Sequence, residues 1–424
     1  MRRLGVGFAL HADLDYLELA RSILEDDADF FEVNPETLWR MRGGRLERND
    51  YRPLFLEMKR RSRKPFVAHG LAFSIGSPLA RDRARTSAWL ERLRDDHATF
   101  GFEYLTEHLG WVTAEGLHAV LPLPLPPTQS AVAAVAARMR LLARVVPAVG
   151  FENNVTYFAL GDVAREPDFF NAICRAAPCG MLLDLHNVHT QCRNAGVDAR
   201  EYVDRIDASN VIEIHLSGGS ESEAGWLKSG RVYRLDSHDG PVPEEAWSLL
   251  ERVLPRCRSL RGIVVERLNG TFAAGDVPAL SAEVKRAKEL LRKRVVRRSK
   301  SPAPPRLEKG EPLASEQKSM IRALTSDEPS KRLKHADVDG VSLTGLLVRK
   351  LRFERICRGD ETAEAWFERD PRGFTEAFKR YNREVPPRDY FPRQEAETFR
   401  RWCEERGVHR QEHEPTAKAP RRQE

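Results

Sequence analysis

The sequence predicts an α/β protein, a (β/α)8 TIM barrel followed by a small helical domain. Eight short apolar runs alternate with stretches that are each long enough for one helix. Acids and histidines stand at or near the ends of most of these runs, and the carboxyl ends of barrel strands all face one mouth. The chain has 424 residues, so a barrel of about 250 residues leaves room for an added domain.

The predicted strands are short and mostly apolar on both faces, which is typical of a parallel sheet covered by helices. In chain order they are Leu4–Ala9, Phe30–Val33, Pro65–Ala68, Tyr104–Thr106, Ala148–Phe151, Gly180–Leu183, Val211–Ile214 and Gly262–Val265.

One helix is predicted after each strand from the apolar periodicity of the intervening segment. The predicted helices are Leu14–Leu24, Pro53–Arg61, Ala80–Phe100, Ala131–Val145, Asp168–Ala176, Ala199–Ile206, Pro243–Leu254 and Pro278–Leu291. Together, these elements account for residues 1–292, the predicted barrel domain.

The composition changes after Leu291. Residues 293–318 continue the basic run Arg292–Lys300 into Ser301–Pro305, and they predict a flexible, partly extended linker. From Ser319, aromatic and aliphatic residues recur at helical spacing, so residues 319–410 are predicted to form a small helical domain. The polar residues 411–424 are predicted to be a disordered tail.

Charge and cysteine content limit the classes of partner and compartment. The chain has 69 Lys and Arg against 63 Asp and Glu, and this modest excess does not favour a nucleic-acid partner. Six cysteines without Cys-x-x-Cys spacing are typical of reduced thiols. No apolar stretch approaches the roughly 20 residues that span a bilayer, and no signal-peptide pattern opens the chain. We therefore expect a cytoplasmic protein without a membrane partner.

Several acids and histidines lie at the ends of predicted strands. Glu152 follows the fifth strand, Asp184 the sixth and Glu266 the eighth. Along the seventh strand, the side-chain period of two places Glu213 and His215 on the same face. These side chains are expected to meet at the barrel mouth.

Asp236 and His238 lie two residues apart in the loop after the seventh strand, so extended backbone would direct both side chains towards one ion. Any one of these residues could be a helix N-cap, a solvated loop residue or a hydrogen-bonded core histidine. Acids crowded at one mouth would, however, repel one another strongly without cations. The whole set therefore predicts a centre that holds more than one metal ion.

The small residues Ser74–Ser77 follow His69 closely. They could let backbone N–H groups approach a ligand, or they could form a tight turn into the third helix.

The following segments carry a resemblance to a known family: His69-Gly70-Leu71 with Ser74-Ile75-Gly76, Thr106-Glu107-His108-Leu109, Leu121-Pro122-Leu123-Pro124, Glu152-Asn153, Leu182-Leu183-Asp184 with Asn187, His215-Leu216-Ser217-Gly218, Asp236-Ser237-His238 and Glu266-Arg267. Their order and spacing resemble the multinuclear non-heme iron-dependent oxidative enzymes. That family was formerly classed as a domain of unknown function, and the methanobactin-maturing oxidase belongs to it. The resemblance covers approximately Gly5 to Phe272.

The resemblance implies a barrel that holds two or three irons (Fe2+/Fe3+) and uses O2 to modify cysteine residues of a ribosomally made precursor peptide. Carried over position by position, the implied iron ligands are His69, His108, Glu152, Asp184, His215, Asp236, His238 and Glu266, with Asn187 as a further candidate. Glu152, on a central strand, is interpreted as a bridging ligand. The family also implies help with a leader peptide, often from a separate partner protein.

Two positions depart from the family pattern. His186 stands where Asn is more frequent, and it could add a ligand or change only the surroundings of the ligands. Leu268 replaces an Asp that commonly follows the Glu-Arg pair, so the support of Glu266 could differ. Neither departure removes an implied ligand.

Other functions fit parts of the sequence. A barrel that binds divalent metals could be a sugar isomerase or an endonuclease-IV-like hydrolase, because fold does not fix chemistry. The basic run Arg292–Lys300 could tether a nucleic acid or an acidic protein, or it could be a solvated linker. The helical region could bind a leader peptide in cis, or it could be an interaction or stability appendage.

Overall fold

The computed structural model describes residues 2–78, 80, 82–297, 301–311 and 313–408. Its strands are β1 (Gly5–Leu10), β2 (Phe30–Val33), β3 (Trp39–Arg42), β4 (Arg45–Arg48), β5 (Phe66–Gly70), β6 (Leu105–His108), β7 (Trp111–Ala114), β8 (Leu117–Leu123), β9 (Val149–Glu152), β10 (Gly180–Asp184), β11 (Val211–Leu216) and β12 (Gly262–Val265).

Eight of these strands close into a barrel in the order β1-β12-β11-β10-β9-β6-β5-β2, and every neighbouring pair is parallel. Their bounds agree with the predicted strands to within two residues at each end. The predicted barrel is therefore confirmed. Two antiparallel hairpins, β3–β4 and β7–β8, add to the sequence-based prediction.

The helices that accompany the barrel are α1 (Leu14–Leu19), α2 (Tyr51–Ser62), α3 (Arg83–Phe100), α4 (Gln129–Leu142), α5 (Glu166–Ala176), α6 (Leu185–Ala195), α7 (Ala199–Arg205), α8 (Glu244–Val253) and α9 (Val277–Lys293). The C-terminal helices are α10 (Ala314–Leu324), α11 (Pro329–Arg332), α12 (Val338–Gly359), α13 (Glu361–Arg369), α14 (Pro371–Glu384) and α15 (Pro392–Glu405). Across the described ranges, none of the helices has the length and hydropathy of a membrane-spanning segment.

Two helices differ most from the prediction. The first predicted helix ends at Leu19, and a π-helical turn follows at Ile23–Asp27. Helix α6 was not predicted, because it begins directly after Asp184. The Asp184 carboxylate caps this helix by accepting a hydrogen bond from the Asn187 backbone N–H at 2.6 Å. Because β10 leads directly into α6, no turn residues separate the apolar pattern of the strand from that of the helix.

An apolar floor closes the barrel interior below the mouth. It consists of Leu4, Ala9, Phe30, Val67, Tyr104, Ile212 and Val264. The Phe30 ring lies so close to Gly7 and Gly262 that a Cβ at either position would be 2.5 or 2.6 Å from a ring carbon. Glycine at these positions therefore lets the ring fill the interior, and the polar side chains are confined to the mouth.

The C-terminal region is helical, as predicted, and packs partly on the barrel. Ile321, Leu324 and Val341 share a buried cluster with Trp111 of β7 and with Phe158. A second buried cluster joins α12 to α13, α14 and α15. The region thus contacts the hairpin and loops at the barrel mouth through its first half and has its own core in its second half.

The proposed boundaries at residues 292, 318 and 410 stay a prediction. Glu308 and Lys309 of the predicted linker lie along the start of α4, where the Gln129 N–H donates to the Glu308 carbonyl at 2.8 Å and the Ser130 N–H donates to the Lys309 carbonyl at 3.1 Å. Residues 298–300, which end the basic run, and the predicted tail 411–424 lie outside the described residues.

A buried ion pair in the C-terminal core gives a stability prediction. Nε of Arg352 is 2.8 Å from Oε1 of Glu395, and both side chains are 1% exposed. Arg352→Ala would leave Glu395 buried without a cation. We expect it to lower the free energy of unfolding by about 3–5 kcal/mol, measured by urea denaturation.

The matched control is Arg358→Ala in the same helix, because Arg358 is 73% exposed and 4.0 Å from Glu354. We expect the free energy of unfolding of this variant to change by less than about 0.5 kcal/mol. Equal losses in the two variants would show that the buried pair has no special role.

Candidate metal centre

Acids and imidazoles from seven barrel strands and their following loops converge at the mouth. In each of five overlapping groups, the possible ligand atoms all lie within 4.8 Å of one another. The members are Glu32, His69, His108, Glu152, Asp184, His186, Glu213, His215, Asp236, His238 and Glu266. All eight implied ligands that are acids or histidines are among them.

Glu152 links two of these groups. Its Oε2 atom is 3.1 Å from Nε2 of His69 and 3.2 Å from Nε2 of His108. This oxygen has no hydrogen-bond partner in the described part of the chain. Two ligands about 2.1 Å from one ion lie about 3 Å apart when the angle at the ion is about 90°. These three atoms could therefore hold one ion.

The other oxygen of Glu152 faces a second set of side chains. Oε1 lies 4.0 Å from Nδ1 of His215, and the same nitrogen is 3.0 Å from Oε2 of Glu266. Asp184 groups with Glu152 and His215, and also with His238 and Glu266. The two oxygens of Glu152 thus face different imidazoles, as a bridging carboxylate requires.

His186, Asp236 and His238 form a third group. Oδ1 of Asp236 is 2.8 Å from Nε2 of His238 and 3.7 Å from Nδ1 of His186. The structure therefore places His186, whose role the sequence left open, within reach of an ion shared with the Asp236–His238 pair. His238 has a φ of 49°, a left-handed conformation that persists in a non-glycine residue only where the surroundings hold it.

Whether a metal fits this mouth is tested best by the buried nitrogen and oxygen atoms that could bind a metal but form no hydrogen bond. Within the described residues, eight such atoms on the candidate ligand residues form no hydrogen bond of ordinary geometry: Glu152 Oε2, Asp184 Oδ2, His186 Nδ1, Asn187 Oδ1, His215 Nδ1, Asp236 Oδ1, His238 Nε2 and Glu266 Oε2. Two pairs of these atoms, Asp236 Oδ1 with His238 Nε2 and His215 Nδ1 with Glu266 Oε2, lie 2.8 and 3.0 Å apart and could form ion pairs when the imidazoles are protonated. An unpaired buried group costs about 1–3 kcal/mol, so either protons or cations must compensate the cluster. Cations could do so, and a set of imidazole nitrogens and oxygens without a thiolate suits iron.

Hydrogen bonds on the far side of two imidazole rings orient them. Nδ1 of His108 is 3.1 Å from the Gly70 carbonyl oxygen, to which it can donate. Nε2 of His215 is 3.1 Å from Oε2 of Glu32. A proton on that outer nitrogen leaves the lone pair of the inner nitrogen for an ion.

His69 is anchored through a longer chain of hydrogen bonds. Its Nδ1 atom is 2.9 Å from Oγ1 of Thr106, whose hydroxyl donates to Oε2 of Glu213 at 3.3 Å. Tyr104, from the barrel floor, donates to Oε1 of Glu213 at 2.6 Å. Glu213 therefore faces the barrel interior beside His215, as the alternation indicated. Its two oxygens, however, accept hydrogen bonds from Tyr104 and Thr106, below the level of the imidazoles.

Asn187 also lies at the mouth. Its Nδ2 atom donates to the Asn153 carbonyl at 3.0 Å and to Oε1 of Glu152 at 3.3 Å. These two bonds fix the orientation of the amide. Its Oδ1 atom forms no hydrogen bond, so Asn187 could contribute this oxygen to an ion.

The buried charges at the mouth shift one another's pKa values. Burial lowers the pKa of His69 to about 4 and raises the pKa of Glu152 and of Asp184 to about 7. Burial opposes protonation of His238, but the carboxylates of Asp236 and Glu266 outweigh it and raise its pKa to about 10. In the metal-free form, protons therefore occupy positions that cations would take.

Two features noted in the sequence do not join these groups. Glu107 accepts a hydrogen bond from the Phe73 N–H at 3.1 Å and belongs to none of the five groups of described residues. In the Ser74–Ser77 segment, the Gly76 N–H donates to the Gly110 carbonyl at 2.7 Å. This segment acts as the tight turn, and it binds the chain that leads into β7.

Glu32 belongs to the cluster but is not among the ligands that the family resemblance implies. It stands at a strand end, but its pairing with His215 crosses the barrel and depends on strand order.

The model of a family described as the RiPP precursor modification enzyme MbnB/TglH/ChrH matches residues 4–292. This chain belongs to that family. RiPPs are ribosomally synthesised and post-translationally modified peptides.

The curated relatives carry no activity in their names. A UPF0276 protein of Rhizorhabdus wittichii is 34% identical over 229 residues, which are 54% of this chain and 75% of the relative. A UPF0276 protein of Pseudomonas aeruginosa is 31% identical over 286 residues, which are 65% of this chain and 92% of the relative.

Solved structures resemble part of this chain at low sequence identity. A xylose isomerase domain protein from Planctomyces limnophilus has a TM-score of 0.42 at 16% identity, over 69% of this chain and 97% of that chain. Endonuclease IV from Thermus thermophilus has a TM-score of 0.38 at 17% identity, over 68% of this chain and 99% of that chain. These likenesses do not bear on the reaction.

The contact between Glu32 and His215 predicts a role in metal affinity. Glu32→Ala removes the acceptor that orients the imidazole, so we expect the affinity for Fe(II) to fall by about 10- to 100-fold, measured anaerobically by competition with a chromogenic chelator. Glu25→Ala, on the exposed outer surface, is the control. If Glu32→Ala retains the affinity of the control, the orienting role is wrong.

The pKa values predict how Fe(II) affinity depends on pH. Below about pH 7, Glu152 and Asp184 bind protons in the metal-free chain, and His238 does so up to about pH 10. Metal binding must displace these protons, so affinity should rise between about pH 6 and pH 8. Calorimetry in buffers of different ionisation enthalpy should detect more released protons at the lower pH. A flat affinity over this range would contradict the assignment of these groups as ligands.

Proposed function

We propose that this chain is a multinuclear iron oxidase that uses O2 to modify cysteine residues of a ribosomally synthesised precursor peptide. The observation that carries the proposal is the convergence of buried acids and imidazoles at the barrel mouth, where the possible ligand atoms of each group lie within 4.8 Å of one another. Membership of a family of RiPP precursor modification enzymes supports a peptide as the substrate. The resemblance described above supports iron and cysteine as the metal and the target.

The proposed ligands are His69, His108, Glu152, Asp184, Asn187, His215, Asp236, His238 and Glu266, with His186 added because of its position. One ion would lie among His69, His108 and Glu152. A second would share Glu152 with Asp184 and His215. The remaining group of His186, Asp236 and His238 would hold a third, outer ion.

Bound iron would supply one-electron redox chemistry, through which O2 takes up the electrons and protons that the peptide cysteine gives up. The chain's own part is to hold the ligands in fixed orientations. Glu32 and Thr106 do so by hydrogen bonds to His215 and His69. Burial of His215 and Glu152 excludes bulk water from the inner part of the centre.

The peptide would approach from the exposed side of the centre. The side chains of His108, Asp236 and His238 are 24%, 26% and 20% exposed, whereas His215 is fully buried. A cysteine side chain arriving from solvent would therefore meet the His108 and His238 side first.

The leader of the peptide would need a separate binding surface. We propose that a partner protein or the helical region 319–410 supplies it, with the barrel of residues 1–292 as the oxidase domain. Copurification of the peptide with the full chain alone would favour the helical region.

The test combines metal analysis with peptide mass spectrometry. The chain is purified anaerobically, its iron is counted, and it is exposed to O2 with a short cysteine-containing peptide encoded beside its gene. We expect two or three irons per chain and a mass change localised to cysteine. The same peptide with Cys→Ser should stay unchanged.

Glu152→Gln should abolish the mass change, because it removes the shared carboxylate, whereas Glu289→Gln on the outer surface of α9 should not. A chain that loads another divalent metal instead, consumes no O2 and leaves the cysteine mass unchanged would contradict the proposal. Such a result would favour the isomerase or hydrolase class.

A further inference from the structure

Helix α12 contacts the loop that carries Asp236 and His238. This loop follows β11 and folds back on itself, with the Leu235 N–H donating to the Ser220 carbonyl at 2.8 Å. Leu343 of α12 is fully buried in a cluster with Leu227, Tyr233 and Leu235 of the loop. Leu235 directly precedes Asp236, so the apolar contact reaches the residue next to a proposed ligand.

Asp337 adds polar contacts between the start of α12 and the same loop. As the N-cap of the helix, its Oδ1 atom accepts from the Gly340 N–H at 2.8 Å. The same oxygen accepts from the Tyr233 hydroxyl at 3.1 Å and lies 3.5 Å from Nη1 of Arg231. One carboxylate therefore joins the helix end to the loop three residues before Asp236.

Tyr157, in the loop after β9, completes the arrangement. Its hydroxyl accepts a hydrogen bond from the Asp236 backbone N–H at 3.2 Å. Gly340 packs directly on Tyr157, and a Cβ at this position would overlap the Tyr157 carbonyl oxygen. The rings of Tyr157 and Tyr233 lie 6.2 Å apart and nearly perpendicular. Helix α12 thus contacts Tyr157, which binds the Asp236 backbone, and Tyr233, which lies three residues before Asp236.

Asp236 and His238 need this support more than the other proposed ligands do. His69, His108, Glu152, Asp184 and His215 lie on barrel strands, Glu266 directly follows β12, and His186 and Asn187 lie in the first turn of α6. Asp236 and His238 lie 20 and 22 residues beyond the end of β11, and His238 has the left-handed φ of 49°. The barrel ladder does not fix their position.

We propose that Asp337, Gly340 and Leu343 are positioning residues for the outer ion, the one that His186, Asp236 and His238 would hold. This inference rests on the metal centre of the proposed function. The family match ends at residue 292, so the positioning would come from a part of the chain that lies beyond the matched segment. The C-terminal region would then complete the metal centre, whatever else it binds.

The test is cobalt binding by Gly340→Ala in the full chain. Metal-free protein is incubated with Co(II), separated from free metal and analysed for bound cobalt. We expect Gly340→Ala to bind about one equivalent less than the wild-type chain at a limiting cobalt concentration, because the added methyl group forces α12 away from Tyr157. Asp236→Ala should lose the same equivalent, and the double variant should lose no more than either single variant.

The matched control is Gly359→Ala in the same helix. A Cβ there would overlap the Pro392 carbonyl oxygen where the end of α12 meets the start of α15. This variant perturbs the packing of α12 on α15, but we expect it to keep wild-type cobalt stoichiometry. Hydrogen exchange in the metal-free chains should show faster exchange at residues 233–238 in Gly340→Ala and not in Gly359→Ala.

Tyr233→Phe is the milder second variant, because it removes only the hydroxyl that binds Asp337. It should lower the affinity for the outer cobalt ion by several-fold. This variant tests the positioning role if Gly340→Ala does not fold. Wild-type cobalt binding by the variants, or a proportional loss of every ion, would overturn the positioning role alone. A wild-type chain that binds fewer than two cobalt ions would overturn the proposed metal centre and this inference together.

Discussion

Charge balance inside a desolvated mouth is the constraint on which this barrel depends. Glu152, Asp184 and Glu266 bring carboxylates into a space that water hardly reaches, and neighbouring carboxylates there repel one another. Burial raises the pKa of Glu152 and Asp184 to about 7, so at neutral pH these groups are close to taking up protons. Cations held among them would satisfy both the charges and the unpaired lone pairs.

The layers beneath the mouth follow from that constraint. Phe30 and its neighbours form an apolar floor, and Tyr104 rises from it to hydrogen-bond Glu213. Above this level, Glu32 and Thr106 orient the imidazoles of His215 and His69. Each layer restrains the one above it, so several of the ligand atoms lie about 3 Å from one another. Such preorganisation lowers the entropy that is lost when ions bind.

Much of the fold could be predicted from the sequence, because buried parallel strands are short apolar runs and their ends carry the acids and histidines. The hairpin β7–β8 and helix α6 could not, since no turn signal separates α6 from its strand and β8 contains Pro122. Leu268 is partly exposed, and its N–H donates to the His238 carbonyl at 3.0 Å. This contact is made by the backbone and does not involve the leucine side chain.

The site was predictable as a set of residues but not as an arrangement. The alternation along β11 correctly placed Glu213 and His215 on one face, yet the pairing of His215 with Glu32 crosses the barrel and depends on its closure. The role of His186 was open, because only the first turn of α6 decides that this side chain reaches Asp236. The support that α12 gives to the Asp236 loop involves residues about a hundred positions apart, for which local sequence patterns carry no signal.

The most direct measurement of the central claim is anomalous diffraction at the iron edge from crystals of the chain grown anaerobically with Fe(II). Our account requires at least two anomalous peaks at the barrel mouth, with one between Glu152 and the imidazoles of His69 and His108. A map with no peak at the mouth, or with iron bound only elsewhere, would contradict it.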